Sequence, residues 1–139
     1  MYKRIMLAVD GSDNSVRAAE HGAYIASMDK NCTVEIVLVA DFAKAKSEVL
    51  HAGDPAVLQM KRRKLLEPFE QLFADQATSY HTHILHGDPA PTVVDFANKS
   101  NVDLVIVGSR GLNALQEMVL GSVSHKVVKR VNCPVLVVK

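Results

Sequence analysis

Three of the seven glycines in this 139-residue sequence fall in one stretch directly after an apolar run. Residues 108–124, GSRGLNALQEMVLGSVS, follow Leu104–Val107 and have the spacing G-x2-G-x9-G-S. Glycine lets the backbone adopt positive φ and lets a ligand approach without meeting a Cβ atom. Successive backbone amides in such a loop, and the free N–H groups at a helix start, bind anions. We therefore predict that Gly108, Gly111 and Gly121 form a phosphate site.

Hydroxyl and acidic side chains extend this chemistry. Ser122 and Ser124 follow the third glycine and can donate hydrogen bonds to phosphate oxygens. Asp10, in the turn Asp10-Gly11-Ser12 after another apolar run, would repel phosphate but can accept hydrogen bonds from hydroxyls. A ribose is the expected partner of Asp10, so the two loops together predict a nucleotide site. Arg110 could reach phosphate or solvent, and His125 could donate to phosphate or lie on the helix surface.

Two familiar nucleotide motifs do not account for these glycines. The sequence contains no G-x-x-x-x-G-K-[ST] phosphate loop, and no G-x-G-x-x-G follows the first apolar run. Taken singly, each glycine is more typical of a turn than of a ligand site. The spacing of the three glycines together favours a ligand site over three separate turns.

Segments with strand and helix patterns alternate along the chain and position these loops. Short apolar runs predict strands over Ile5–Val9, Thr33–Ala40, Tyr80–Leu85, Leu104–Val107 and Pro134–Val138. Helical spacing predicts helices over residues 14–28 and 55–74, from Pro89 onward, and from Gly121-Ser122 onward. Pro68 lies inside the second helix, so we expect a kink near Leu65 or two shorter helices.

This alternation predicts an α/β fold in a single domain spanning residues 1–139. The expected architecture is a doubly wound, five-stranded parallel sheet of order 3-2-1-4-5 with helices on both faces. Ligands of such sheets bind beyond the carboxyl ends of the strands, where the strand order reverses. In this order that point lies between strands 1 and 4, which carry the two loops.

The composition excludes several functional classes. Sixteen basic and fifteen acidic residues leave a net charge of +1, which argues against nucleic acid or an anionic membrane as partner. The first apolar run is too short for a signal peptide or a membrane span, so we expect a cytoplasmic protein.

Cys32 and Cys133 are expected to be inert thiols. His81 and His83 share one face of a strand, where they could bind a metal or simply pack.

The quoted motifs resemble those of the universal stress protein family, specifically its UspA-like, ATP-binding type. The resemblance rests on Asp10-Gly11-Ser12, on the G-x2-G-x9-G-S pattern and on the terminal apolar strand, and it covers essentially the whole chain. It implies that ATP is bound, with Mg²⁺ or Mn²⁺. Residues 41–54 have no pattern that aligns with the family, so the cover over the adenine is not predicted.

The resemblance also implies roles for individual residues. Asp10 would hold the ribose, with Ala8 and Val9 flanking the adenosine, and Val39 would contact adenine. Val107, Gly108 and Gly111 would line the site. The phosphates would be bound by Gly121, Ser122, Val123 and Ser124.

A homodimer is expected from both the resemblance and the sequence. In the order 3-2-1-4-5, strand 5 is an edge, and Val135–Val138 carries no charge that would protect it from pairing. Pairing of two copies along this strand would cover the edge, although the chain's own helices could also do so.

The resemblance implies a nucleotide-dependent regulatory module in the stress response, and no catalytic residue is predicted. The alternatives are a slow ATPase or an autophosphorylating protein with Ser122 or Ser124 as acceptor, and an interaction dimer with an empty crevice.

Overall fold

The computed structural model describes residues 1–41, 54–109 and 121–139, which contain five strands and four helices. The strands are Arg4–Val9 (β1), Thr33–Asp41 (β2), Ser79–Gly87 (β3), Leu104–Gly108 (β4) and Val135–Val138 (β5). The helices are Asp13–Ala26 (α1), Pro55–Asp75 (α2), Pro89–Lys99 (α3) and Ser122–Arg130 (α4). The predicted order of elements is confirmed, with ends displaced by a few residues.

The five strands form one parallel sheet of order β3-β2-β1-β4-β5, which confirms the predicted topology. β1 is the central strand and pairs with β2 on one side and with β4 on the other. β2 and β3 extend the sheet to one side of β1, and β4 and β5 extend it to the other side. The switch point therefore lies between β1 and β4, as expected.

Each face of the sheet carries its own apolar layer. On one face, Ile5 and Leu7 pack with the alanines of α1 and with Phe69 and Phe73 of α2. On the other face, Met6 packs with Val93 of α3 and with the buried Val127 of α4. Successive residues of β1 thus enter opposite layers, which is why its sequence shows no alternation of apolar and polar residues.

Local sequence signals explain where the helices begin. Ser12 caps α1, because its Oγ accepts a hydrogen bond of 3.2 Å from the N–H of Ser15. Asp54 caps α2 through the N–H of Ala56, at 2.9 Å, and Pro55 occupies the first helical position.

Helix α2 continues through Pro68, so the expectation of two shorter helices is wrong. Proline removes one helical hydrogen bond, but buried side chains anchor the helix on both sides of it. Leu66 precedes Pro68, and Phe69 and Phe73 follow it in the same apolar layer. Packing of these side chains offsets the lost hydrogen bond.

Among the described ranges, no helix has the combination of length and apolar character that crossing a bilayer requires.

Candidate nucleotide site

The two central strands stop pairing before they end, which leaves a gap between them at the carboxyl edge of the sheet, and we call this gap the crevice. The pairing of β1 with β4 stops at Leu7 and Ile106. β1 nevertheless stays paired with β2 as far as Val9, and β4 stays paired with β5 as far as Gly108. The crevice therefore lies at the predicted point, between the turn after β1 and the loop after β4.

Asp10 lies at the β1 side of this crevice and is exposed. Its Oδ1 accepts a hydrogen bond of 2.9 Å from the N–H of Ser12, which closes a tight turn at the start of α1. Gly11 occupies the middle of that turn with φ of +81°, a value that favours glycine. The turn holds the carboxylate at the rim, in an orientation set by the backbone.

The start of α4 lies on the β4 side. Gly121 occupies the N-cap position, and no side chain caps this helix. Ser122 is exposed, whereas Val123 is half-buried. A helix start without a side-chain cap leaves backbone donors available for an anion, and the helix dipole favours negative charge there.

Two hydrogen bonds attach the start of α4 to the end of β4, and a third attaches the end of β4 to β5. The N–H of Gly121 donates to the carbonyl oxygen of Ser109, at 2.8 Å, and the N–H of Ser109 donates to the carbonyl oxygen of Val138 in β5, at 2.7 Å. Ser124 is only 5% exposed, and its hydroxyl donates to the carbonyl oxygen of Gly108, at 2.6 Å. The helix start is thereby held beside the crevice.

Gly108 has a packing reason to lack a side chain. A Cβ atom at this position would lie 2.8 Å from Cβ of Asn14 and 3.0 Å from its carbonyl carbon. The first turn of α1 therefore packs directly against the end of β4. This close approach brings the turn that holds Asp10 near the loop after β4.

The apolar residues assigned to the adenosine lie at the same edge. Ala8, Val39 and Val107 belong to one layer of the sheet, whereas Val9 belongs to the opposite layer. Ala8 and Val39 are half-buried, and Val9 and Val107 are buried. β2 extends past its last pair with β1 through Val39, so this residue can form a wall of the crevice.

Two residues of the motif lie outside the described residues, namely Gly111 and Arg110, so their predicted roles stay predictions. His125 is exposed on α4, and its backbone N–H donates to the carbonyl oxygen of Gly121, at 2.9 Å.

Two residues that shape this region, Ser109 and Asn14, are not among the predicted site residues. Ser109 connects α4 with β5, and its position inside the glycine motif could have drawn attention to it. Asn14 packs against Gly108, which lies more than ninety residues later in the sequence, and no local pattern indicates that contact.

His81 and His83 surround a buried carboxylate rather than standing alone. Glu35 is 1% exposed, and its carboxylate oxygens lie 3.2 Å from His81 Nδ1 and 2.7 Å from His83 Nε2. Arg4 Nε donates to the same carboxylate, at 3.1 Å. Among the described residues, no three His, Cys, Asp or Glu side chains form a group suited to a metal. The packing interpretation of these histidines is therefore favoured.

Cys32 and Cys133 are both free thiols. Burial raises the pKa of each thiol, and the carboxylate of Asp103 raises it further. A raised pKa lowers the thiolate fraction, which is the reactive form, so the expectation of inert thiols is supported.

Comparisons with known proteins agree with this architecture. The chain is 34% identical to the universal stress protein MJ0531 of Methanocaldococcus jannaschii, over all of this chain and 83% of that protein. Its fold matches the solved structure of the hypothetical protein MJ0577 with a TM-score of 0.88 and 31% identity, covering 100% of this chain and 96% of the other. A universal stress protein solved in complex with cAMP matches with a TM-score of 0.73 and 25% identity, covering 99% and 96%.

The model of the universal stress protein family matches residues 1–139, and a relative above 30% identity aligns along the full chain. This match agrees with the strand order and with the motif on which the resemblance rested. The chain therefore belongs to the universal stress protein family.

Proposed function

We propose that this protein binds ATP and acts as a dimeric, nucleotide-dependent regulatory module in the stress response. The observations that support the proposal are the exposed carboxylate of Asp10, in the turn after β1, and the helix start without a side-chain cap at Gly121, which is bonded to the end of the neighbouring strand β4. The first group suits the hydroxyls of a ribose, and the second suits phosphate.

The phosphate end of the proposed site combines three kinds of donor. Backbone N–H groups at Ser122 and Val123 would face the phosphates beside Gly121, whose own N–H donates to Ser109, and the exposed Ser122 hydroxyl would add a side-chain donor. Gly111 would contribute from the loop after β4. We propose that Mg²⁺ or Mn²⁺ accompanies ATP, with phosphate oxygens among its ligands.

The adenosine end would rest on the apolar residues at the strand ends. Ala8 and Val39 are half-buried at this edge, so a planar base could cover the surface that they leave exposed. Val9 and Val107 would support them from within the sheet. The cAMP complex of a relative with the same fold supports an adenine nucleotide as the ligand class.

A thermal-shift titration with ATP and Mg²⁺ tests the proposal. Binding at 100 times the Kd adds about 2.7 kcal/mol to the free energy of unfolding, which raises the melting temperature by several degrees. We expect Asp10→Ala to weaken ATP binding by roughly 10-fold, because the ribose hydroxyls lose a charged acceptor.

Asp13→Ala is the matched control, because Asp13 is an exposed acidic residue at the start of α1. It removes the same charge three residues away and should leave the Kd for ATP within twofold. Absence of any thermal shift at millimolar ATP would contradict the proposal and favour the interaction dimer with an empty crevice.

A slow ATPase or autophosphorylating activity is the second candidate, and the exposed Ser122 hydroxyl at the proposed phosphate position favours it. ATP turnover and phosphate incorporation, measured on metal-loaded protein, separate this candidate from a binding module. Incorporation that Ser122→Ala abolishes would establish the enzyme.

The remaining expectations belong to the same proposal. We propose that residues 1–139 fold as one domain in the cytoplasm, that two copies pair along Val135–Val138, and that neither nucleic acid nor membrane is a partner.

A further inference from the structure

We infer that Ser124 is a positioning residue, which aims the start of α4 at the phosphates without contacting them. This inference rests on the proposed function, and it assigns Ser122 and Ser124 different tasks. The family resemblance places both hydroxyls on phosphate, but the two serines have opposite environments. Ser122 is exposed, whereas Ser124 is 5% exposed and already donates to the protein.

The hydroxyl of Ser124 has one proton, and the carbonyl oxygen of Gly108 accepts it at 2.6 Å. To donate to a phosphate, this hydroxyl would have to leave that acceptor in a buried setting. The exposed hydroxyl of Ser122 needs no such exchange. The geometry therefore assigns direct phosphate contact to Ser122. It assigns to Ser124 a structural hydrogen bond to the carbonyl oxygen of Gly108, which we call the tie.

The tie joins the start of α4 to the end of β4, so it affects the position of the backbone amides that would bind the phosphates. Gly108 packs closely against α1, because an added Cβ atom there would lie 2.8 Å from Cβ of Asn14. Ser109 is likewise fixed, since its N–H donates to Val138 of β5. Ser124 and Gly121 thus connect α4 to a rigid strand end by two hydrogen bonds on the same helical turn. This arrangement holds the helix dipole and its free amides in one direction.

The test compares Ser124→Ala with Ser122→Ala by calorimetry with ATP and with adenosine, which has no phosphate. We expect Ser124→Ala to weaken ATP binding about 5- to 10-fold and adenosine binding less than twofold. Ser124→Thr retains the hydroxyl and should restore ATP affinity to within about twofold of the unaltered protein.

Amide hydrogen exchange without nucleotide separates positioning from direct contact. Loss of the tie should accelerate exchange of the two hydrogen-bonded amides at this helix start, those of Gly121 and His125, about 5- to 10-fold in Ser124→Ala, and Ser122→Ala should leave it unchanged. Weaker ATP binding with unchanged exchange would overturn the inference, because Ser124 would then be a direct ligand.

Two further outcomes would also overturn it. Faster exchange with equal loss of ATP and adenosine affinity would show a general structural role. Faster exchange with unchanged affinity for both ligands would show that the tie has no bearing on binding. Failure of the unaltered protein to bind ATP would instead overturn the proposed function, and this result is recorded before any variant is made.

Discussion

At the scale of single residues, the glycines of the motif serve different physical purposes. Gly108 is required by packing, since a Cβ atom would lie 2.8 Å from Cβ of Asn14 and 3.0 Å from its backbone carbonyl carbon. Gly121 has φ of −59° and ψ of 153°, which other residues adopt easily. The sequence motif treats both as equivalent, but Gly108 is in close contact with the backbone of α1.

This difference predicts unequal costs of adding one methyl group. Gly108→Ala should lower the free energy of unfolding by about 1–3 kcal/mol, because the backbone of α1 cannot yield without displacing the helix. Gly121→Ala is the matched control and should cost only about 0.5 kcal/mol, because alanine is a slightly poorer N-cap. Urea unfolding of both variants measures these values, and equal costs would contradict the packing role of Gly108.

At the scale of elements, a polar cluster on the sheet joins β1, β2 and β3. Glu35 of β2 is bonded by Arg4 of β1 and by His81 and His83 of β3. The ring of His83 also packs on Phe96 of α3, with 4.8 Å between ring centres. Burial alone would raise the pKa of Glu35, but hydrogen bonds from His83, His81 and Arg4 hold it below its usual value of 4.5.

The lowered pKa of Glu35 makes the free energy of unfolding depend on pH in the acidic range. Because the folded pKa lies below the unfolded value, the contribution of Glu35 is fully present above pH 4.5 and is lost as the pH falls through the folded pKa. Glu35→Gln should therefore cost about 2 kcal/mol at pH 7, where the variant lacks charged hydrogen bonds. The cost should shrink as the pH falls below 4.5 and through the folded pKa, because the carboxylate of the unaltered protein then becomes protonated first in the unfolded and then in the folded state.

Urea unfolding between pH 7 and pH 3 measures this difference. Glu67→Gln is the control, because Glu67 is exposed on α2 and its substitution should change the free energy of unfolding by less than about 0.5 kcal/mol. If Glu35→Gln had the same cost at every pH, ionisation of Glu35 would have no part in the acid dependence.

At the scale of the whole molecule, β5 is an edge strand with a defined outward side. Val105 of β4 and Ser109, which follows that strand, donate through their N–H groups to the carbonyl oxygens of Pro134 and Val138. In a parallel ladder, alternate residues face the neighbouring strand, so Val135 and Val137 direct their amides away from β4. These outward amides are where a second copy would pair under the proposed dimerisation.

We expect Val137→Pro to raise the dimer dissociation constant at least about 10-fold, because proline removes one outward N–H and leaves the ladder with β4 intact. Val137→Ala retains the amide and should remain dimeric. Sedimentation velocity across a concentration series measures both variants, and a Val137→Pro protein that dimerises as tightly as Val137→Ala would show that copies do not pair along β5.

The sequence by itself determined the order, type and approximate ends of the elements, because apolar periodicity and capping residues are local properties. It also determined the family, through Asp10 and the glycine spacing of the loop after β4. It predicted the sheet order 3-2-1-4-5, since few arrangements of five parallel strands place helices on both faces.

Only the tertiary structure decided what individual side chains do within those elements. Ser122 and Ser124 are indistinguishable in the motif, and only the fold buries one of them against Gly108. Glu35 lies in a strand that is covered on both faces, so no alternation indicates that its carboxylate has three partners from neighbouring strands. These assignments depend on contacts between residues far apart in sequence, which hydrophobic patterns and local propensities do not encode.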